Sequence, residues 1–232
     1  MEFSWNWKTS FFKEFAVKAG SFTHREVHKT MRASIPVRQR LSIDVPFGAL
    51  TVVGSDGPNA EIEIRVLSRG PEQAQGISYT TRDRDGETFV AIDGPLGGAV
   101  NLTTVEVDLR MPRSAPLIAR CGLGALKAAK VGPIEAHANL GTVDIDEALT
   151  TSEVRANLGD VNVRLSPLWH GDRVAISTNL GRGILRVPSQ VRLECKASSS
   201  LGKVEIAIGS YEGAPPATIH SNLGMVRIEP AR

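Results

Sequence analysis

Asn139-Leu140-Gly141-Thr142-Val143-Asp144-Ile145 decides the reading of this chain, because the pattern returns. Later copies are Asn157-Leu158-Gly159-Asp160-Val161-Asn162-Val163, Asn179-Leu180-Gly181-Arg182-Gly183-Ile184-Leu185, Ser200-Leu201-Gly202-Lys203-Val204-Glu205-Ile206 and Asn222-Leu223-Gly224-Met225-Val226-Arg227-Ile228. A degraded copy, Gly122-Leu123-Gly124-Ala125-Leu126, comes before them. The leucines step by 17, 18, 22, 21 and 22 residues. Self-similarity at such a period is the mark of stacked repeats, and a unit this short suits strands and turns rather than helix pairs.

Within each unit the pattern has period two. Val143 and Ile145, Val161 and Val163, Val204 and Ile206, and Val226 and Ile228 alternate with polar residues. Such alternation buries one face of a strand and wets the other. Val154, Ile176 and Ile219 extend it backwards, each three residues before the corner Asn. Two strand pieces therefore flank one Asn-Leu-Gly corner. Gly supplies the positive φ of the turn. The leucine is expected to fill the corner from inside, stacked on its neighbours, so that Leu158→Ala would cost about 2–5 kcal/mol. The asparagines can form a side-chain ladder, read as structural before it is read as a binding strip. The corner set is Asn139, Leu140, Gly141, Asn157, Leu158, Gly159, Asn179, Leu180, Gly181, Leu201, Gly202, Asn222, Leu223 and Gly224.

The fold class expected is all-β: a right-handed parallel β-helix, a solenoid, over residues 117–232. Residues 37–116 should be its cap of irregular antiparallel strands. Leu41–Val45, Phe47–Val52, Glu61–Val66, Thr88–Ile92 and Val105–Met111 are the strand runs, with Phe47-Gly48 resembling the corner pattern. Pro71 to Gly76 reads as polar loop or short helix, and Leu96-Gly97-Gly98 as a turn. A bare stack would expose unpaired backbone, which is why a cap is needed. The opposite edge should be where the chain stops, blunted by Pro230 or covered by a partner.

Residues 1–36 read as an arm and linker, with Met31 to Pro36 the linker. Of twelve aromatic residues, seven fall in the first 22: Phe3, Trp5, Trp7, Phe11, Phe12, Phe15 and Phe22. Phe3, Trp7, Phe11 and Phe15 are spaced by four, which lines one face of a helix. Residues 1–40 carry eight Lys or Arg against three Glu, while the whole chain is only +2. Aromatics mixed with Lys8 and Lys18 suit a bilayer boundary or a groove of a membrane-protein partner. The arm is accordingly the expected contact with an integral-membrane protein complex (respiratory, photosynthetic or secretory) or with lipid headgroups. No strong global field points at nucleic acid.

The sequence has no apolar run long enough to span a bilayer and no signal-peptide pattern at its start, so the location expected is cytoplasmic, peripheral on the cytoplasmic face of a membrane. Two cysteines, Cys121 and Cys195, are no disulfide framework. His24 and His28 are four apart, but Arg25 and Lys29 repel a cation and no ligand set is completed. Asp144, Asp146, Glu147 and Asp160 are the carboxylates a carbohydrate-active enzyme would use. Their equivalents in other repeats include Asn162, Ile184, Glu205 and Arg227, so no acidic cluster should stack. No nucleophile elbow, phosphate loop or dinucleotide fingerprint occurs. Neither a catalytic residue nor a cofactor or metal is expected.

Val105 to Pro112, a strand ended by proline, followed by serial corners such as Leu158-Gly159-Asp160-Val161, resembles the bacterial putative-adhesin family of unknown function. The resemblance covers residues 38–229 and implies a right-handed parallel β-solenoid, often exported or membrane-tethered, without catalytic residues. Residues 1–30 lie outside it. The function expected is a non-enzymatic structural or assembly subunit held by its arm to a larger bacterial membrane complex. Alternatives are an adhesin-like polymer- or matrix-binding protein, a self-assembling scaffold and a carbohydrate-active enzyme.

Overall fold

A computed structural model describes residues 26–96 and 103–231. The aromatic arm, with Phe3, Trp5, Trp7, Lys8, Phe11, Phe12, Phe15, Lys18 and Phe22, lies outside the described residues. So does His24. The described chain is nearly all β, gathered in one mixed 16-stranded sheet.

Its spine is a parallel ladder. Strand β2 (Arg40–Ser55) pairs with β7 (Leu117–Ala129), and β7 with β8 (Ile134–Ala148), each in register across the whole corner. The first half of β8 then pairs with β9 (Ser152–Leu158), and its second half with β10 (Val161–Leu165). In the next unit β11 (Val174–Leu180) follows β9, and β12 (Gly183–Val187) follows β10. Alternation dictates this arrangement. Val143, Val161 and Leu185 are fully buried on one face, while Asp144, Asn162 and Ile184 are partly exposed on the other. One apolar core serves both strand rows and includes Leu41, Ile43, Leu50, Leu126, Val154 and Ile176.

At one end the stack is finished by antiparallel strands. β6 (Thr104–Pro112) runs parallel to β2, then β3 (Asn59–Ser68) antiparallel to β6, and β1 (Glu26–Pro36) antiparallel to β3. On the other row β5 (Glu87–Asp93) pairs parallel with β2, and β4 (Ser78–Arg84) antiparallel with β5. A single helix turn, α1 (Pro71–Gln75), links β3 to β4. Two expectations change here. Residues 31–36 are not a linker, because Met31 to Pro36 pair with Asn59 to Ile64. The first segment is not purely antiparallel either, since β2 is itself a rung of the parallel ladder, with Phe47 beside Leu123 and Gly48 beside Gly124.

The far end also differs from expectation. After β12 the chain skips one rung to form β13 (Glu194–Leu201) and β14 (Val204–Ile206). It then returns to insert β15 (Pro216–Leu223) between β11 and β13, and β16 (Val226–Pro230) between β12 and β14. The C-terminal strands are therefore interior, and Pro230 pairs with Val187 rather than blunting an edge. Among the described residues the open edge at this end belongs to residues 194–206.

Candidate binding face at the corners

The corner leucines face solvent. Leu123, Leu140, Leu158, Leu180 and Leu223 are each 37–43% exposed, and Leu201 is 69% exposed. The interior expectation fails for a reason visible in the glycines. Gly159 has φ +141°, and a Cβ built on it would lie 1.7 Å from the carbonyl oxygen of Gly141. Gly141 stands in the same relation to Gly124, at 1.6 Å. The glycine backbones thus pack directly on one another along the stack. Before four of the corners the inward position holds a small residue, Ala138, Ala156, Thr178 or Ser221, all buried. No space is left inside for a leucine, so it turns outward.

Register converts these residues into a rail. Phe47, Leu123, Leu140, Leu158, Leu180, Leu223 and Leu201 succeed one another on adjacent strands. Strand spacing in sheets is about 4.8 Å, so apolar groups line up without a gap. Beside the rail runs an amide ladder. Asn157 Nδ2 donates to Asn139 Oδ1 at 3.1 Å, Asn179 to Asn157 at 3.1 Å, and Asn222 to Asn179 at 2.8 Å. It continues into the His220 ring, whose Nε2 lies 2.9 Å from Asn222 Oδ1 and whose Nδ1 lies 2.9 Å from Ser198 Oγ.

Next to the ladder lies a shallow groove of about 430 Å³, lined by Asp44, Arg120, His137, Arg155 and Ser177. Its basic side chains are partly answered in place. His137 Nε2 is 2.7 Å from Glu135 Oε1, and that hydrogen bond holds the Glu135 carboxyl below its ordinary range. Arg155 pairs with Glu153, which Arg173 also reaches at 2.9 Å. Cys121, which also lines the groove, has its thiol pushed up to about 11 by burial and by Asp44, which disfavours the thiolate.

Of the carboxylates considered for catalysis, Asp144, Asp146 and Glu147 lie on β8 and Asp160 at the corner before β10. Each is tied to the next rung. Asn162 Nδ2 donates to Asp144 at 2.7 Å, Arg164 Nη2 to Asp146 at 2.9 Å, and Arg182 Nε to Asp160 at 3.0 Å. Glu147 lies 3.8 Å from both Lys130 and Arg164. The Asp160 carboxyl is held low by its hydrogen bond from Arg182, against the effect of burial. Burial raises the Asp108 carboxyl on β6, partly opposed by Arg65 Nη1 at 2.8 Å, within a strand-to-strand ion network. Among the described residues no group of three His, Cys, Asp or Glu is placed to hold a metal. Nor is any described helix long and apolar enough to cross a membrane. The rail itself was missed in the sequence because Leu at a corner reads as core. Its signal was parity: Ala138 is inward, so Leu140 can return inward only if the chain does not kink.

No protein-family model matches the chain, and no curated protein matches it. Solved structures do. A putative cell adhesion protein from Clostridium sporogenes is similar over 88% of this chain and 100% of its own, with 15% identity and a TM-score of 0.53. The likeness is one of fold. A putative adhesin from Bacteroides fragilis matches over 88% of this chain and 97% of its own, at 14% identity and a TM-score of 0.48.

Proposed function

We propose that this protein is a non-enzymatic structural subunit, a right-handed parallel β-solenoid that offers its corner face to a protein partner. The observation that carries the reading is the rail of outward leucines. Core packing does not require them there, and contiguous exposed apolar surface is the usual mark of an interaction site. Asp144, Asp146 and Asp160 are each bonded by a side chain of a neighbouring rung, which suits a structural role for them. In this reading the aromatic and basic residues 1–25 anchor the subunit to a membrane-embedded complex on its cytoplasmic side. The rail then fixes its orientation on that complex. Changing Leu140, Leu158 and Leu180 together to Ser tests this: the melting temperature should change little, while retention on native membranes should fall. Unchanged retention would remove the rail from the interface.

A second reading is adhesin-like binding of a polymer. It is favoured by the groove beside the amide ladder, where Arg120, His137 and Arg155 repeat along the stack as a polymer's units would. The Clostridium sporogenes protein's name points the same way. Binding of an acidic polysaccharide that is lost in Arg120→Ala and Arg155→Ala together would select this reading over the first.

A further inference from the structure

Identical sequence patterns have opposite exposures at one place in the fold. Val161 and Val163, Val143 and Ile145, and Val226 and Ile228 are at most 2% exposed. Val204 and Ile206, at the same positions of the pattern, are 40% and 44% exposed. Among the described residues β14 pairs with β16 alone, whereas β10, β12 and β16 have a strand on both sides. With Leu201 and Tyr211 also exposed, the end of the stack is an apolar face.

Among the described residues the backbone there is paired on one side only. Val226 N–H donates to Lys203 O and Ala207 N–H to Ile228 O, each at 2.8 Å. Odd-numbered residues thus bond toward β16, so Val204 and Ile206 turn their N–H and C=O groups to the open edge. At the opposite end of the molecule, the last strands are protected. β4 carries exposed Arg82, Asp83 and Arg84, and β1 has its inward Met31, Ala33 and Ile35 half-buried or buried. Edges left open and apolar invite another strand.

We propose that the occupant is a second copy of this chain, joined through an antiparallel β14–β14 pair about a twofold axis at Val204. Self-complementary charge selects this register. Keeping Val204 and Ile206 on the core face allows only shifts by whole pleats. With Val204 opposite its own copy, Lys203, which pairs with Glu205 of its own chain, also faces Glu205 of the partner subunit, and the same contact recurs across the axis. One pleat either way puts Lys203 opposite the partner's Lys203, or Glu205 opposite the partner's Glu205. Like charges directly opposite destabilise, and unlike charges stabilise. In the favoured register the Val204 N–H and C=O groups bond reciprocally to the partner's, and the Val226–Val204 core row continues into the other molecule. An isologous contact closes at two copies, so the product is a dimer and not a filament. The rail leucines of both copies then lie on one elongated particle.

The test uses the full chain. Light scattering after size exclusion should give twice the 24.9 kDa chain mass. Lys203→Glu should weaken the dimer at least about tenfold in Kd, since two unlike pairs become like pairs. The double variant K203E/E205K should recover it. Single cysteines then read the register, in a Cys195→Ser background under mild oxidant. Val204→Cys should cross-link to a disulfide dimer, because directly opposite strand residues lie about 5.5 Å apart at Cα, within disulfide reach. Lys203→Cys and Glu205→Cys should not. A parent of single-chain mass, or cross-linking led by Lys203→Cys or Glu205→Cys, would overturn the proposal. Neither result depends on the membrane partner.

Discussion

Replacing Gly159 by Ala attacks the corner stack where it is tightest. The new Cβ would stand 1.7 Å from Gly141 O and 2.7 Å from Gly141 C. An ordinary carbon–oxygen contact is about 3.3 Å or more, so the two rungs must part by over an ångström. Parting them stretches the adjacent Val143 N–H bond to Asp160 O, now 2.9 Å. That loss costs about 0.5–1.5 kcal/mol. The φ of +141° adds strain of about 1–3 kcal/mol for a residue with a Cβ. Reduced freedom of the unfolded chain returns less than about 1 kcal/mol. A net loss of about 2–4 kcal/mol follows, which for a domain of this length lowers Tm by roughly 4–16 °C. Thermal melts by far-UV circular dichroism measure it. Gly57→Ala is the control, since its Cβ would meet only Ser55 Oγ, at 3.9 Å, with no positive φ. It should stay within about 0.5 kcal/mol of the parent. If Gly159→Ala melts with Gly57→Ala, the glycine backbones do not stack as described.

Leu158→Ala should now cost less than about 1.5 kcal/mol in urea titration, because the side chain is 37% exposed rather than enclosed; a loss of the size expected for a core leucine would return it to the interior. Ending the chain after Ala214 should do far more than shorten the stack. It empties the slot between β11–β12 and β13–β14 and removes Ile219, Val226 and Ile228, all at most 1% exposed, worth about 5–9 kcal/mol together; a truncated chain as stable as the parent would contradict the inserted order. Acid should weaken the fold. Hydrogen bonds from Arg182, His137 and Lys203 hold Asp160, Glu135 and Glu205 below their ordinary range. The stabilisation is complete above the unfolded carboxylate values, about 4, and is lost as pH falls through the lower folded ones. Asp108, raised by burial, works in the opposite sense. Urea midpoints should therefore drop from pH 7 to pH 3, and a constant midpoint would mean these pairs contribute nothing.

Much of the fold was legible because period two is a strong signal. Val143, Val161 and Val226 pointed inward as their alternation required, and Phe47-Gly48 already matched the corner. What could not be read was pairing between distant segments. Met31, Ala33 and Ile35 alternate, yet a short basic stretch after an aromatic segment reads as linker until β3 supplies its partner. The exchange of the last two rungs leaves no local trace, because β13–β14 and β15–β16 have the same pattern and either could be terminal. The outward leucines were hidden for a related reason. A Leu beside a Gly looks like core until the approach of successive glycine carbonyls closes the inside of the corner. The asparagine ladder, by contrast, depends only on repeat spacing and chemistry, and both were in the sequence.

The proposal that the rail and the arm together form the attachment surface is tested most directly by sedimentation with native membranes. Three proteins are compared: the full chain, a chain lacking residues 1–25 so that β1 stays whole, and the variant with Leu140, Leu158 and Leu180 changed to Ser. Melting temperatures are checked for each. The account predicts that the full chain sediments and resists high salt, since screening leaves apolar contacts in place. The truncated chain should remain in solution, and the rail variant should bind weakly although it is folded. Sedimentation of all three alike would contradict it.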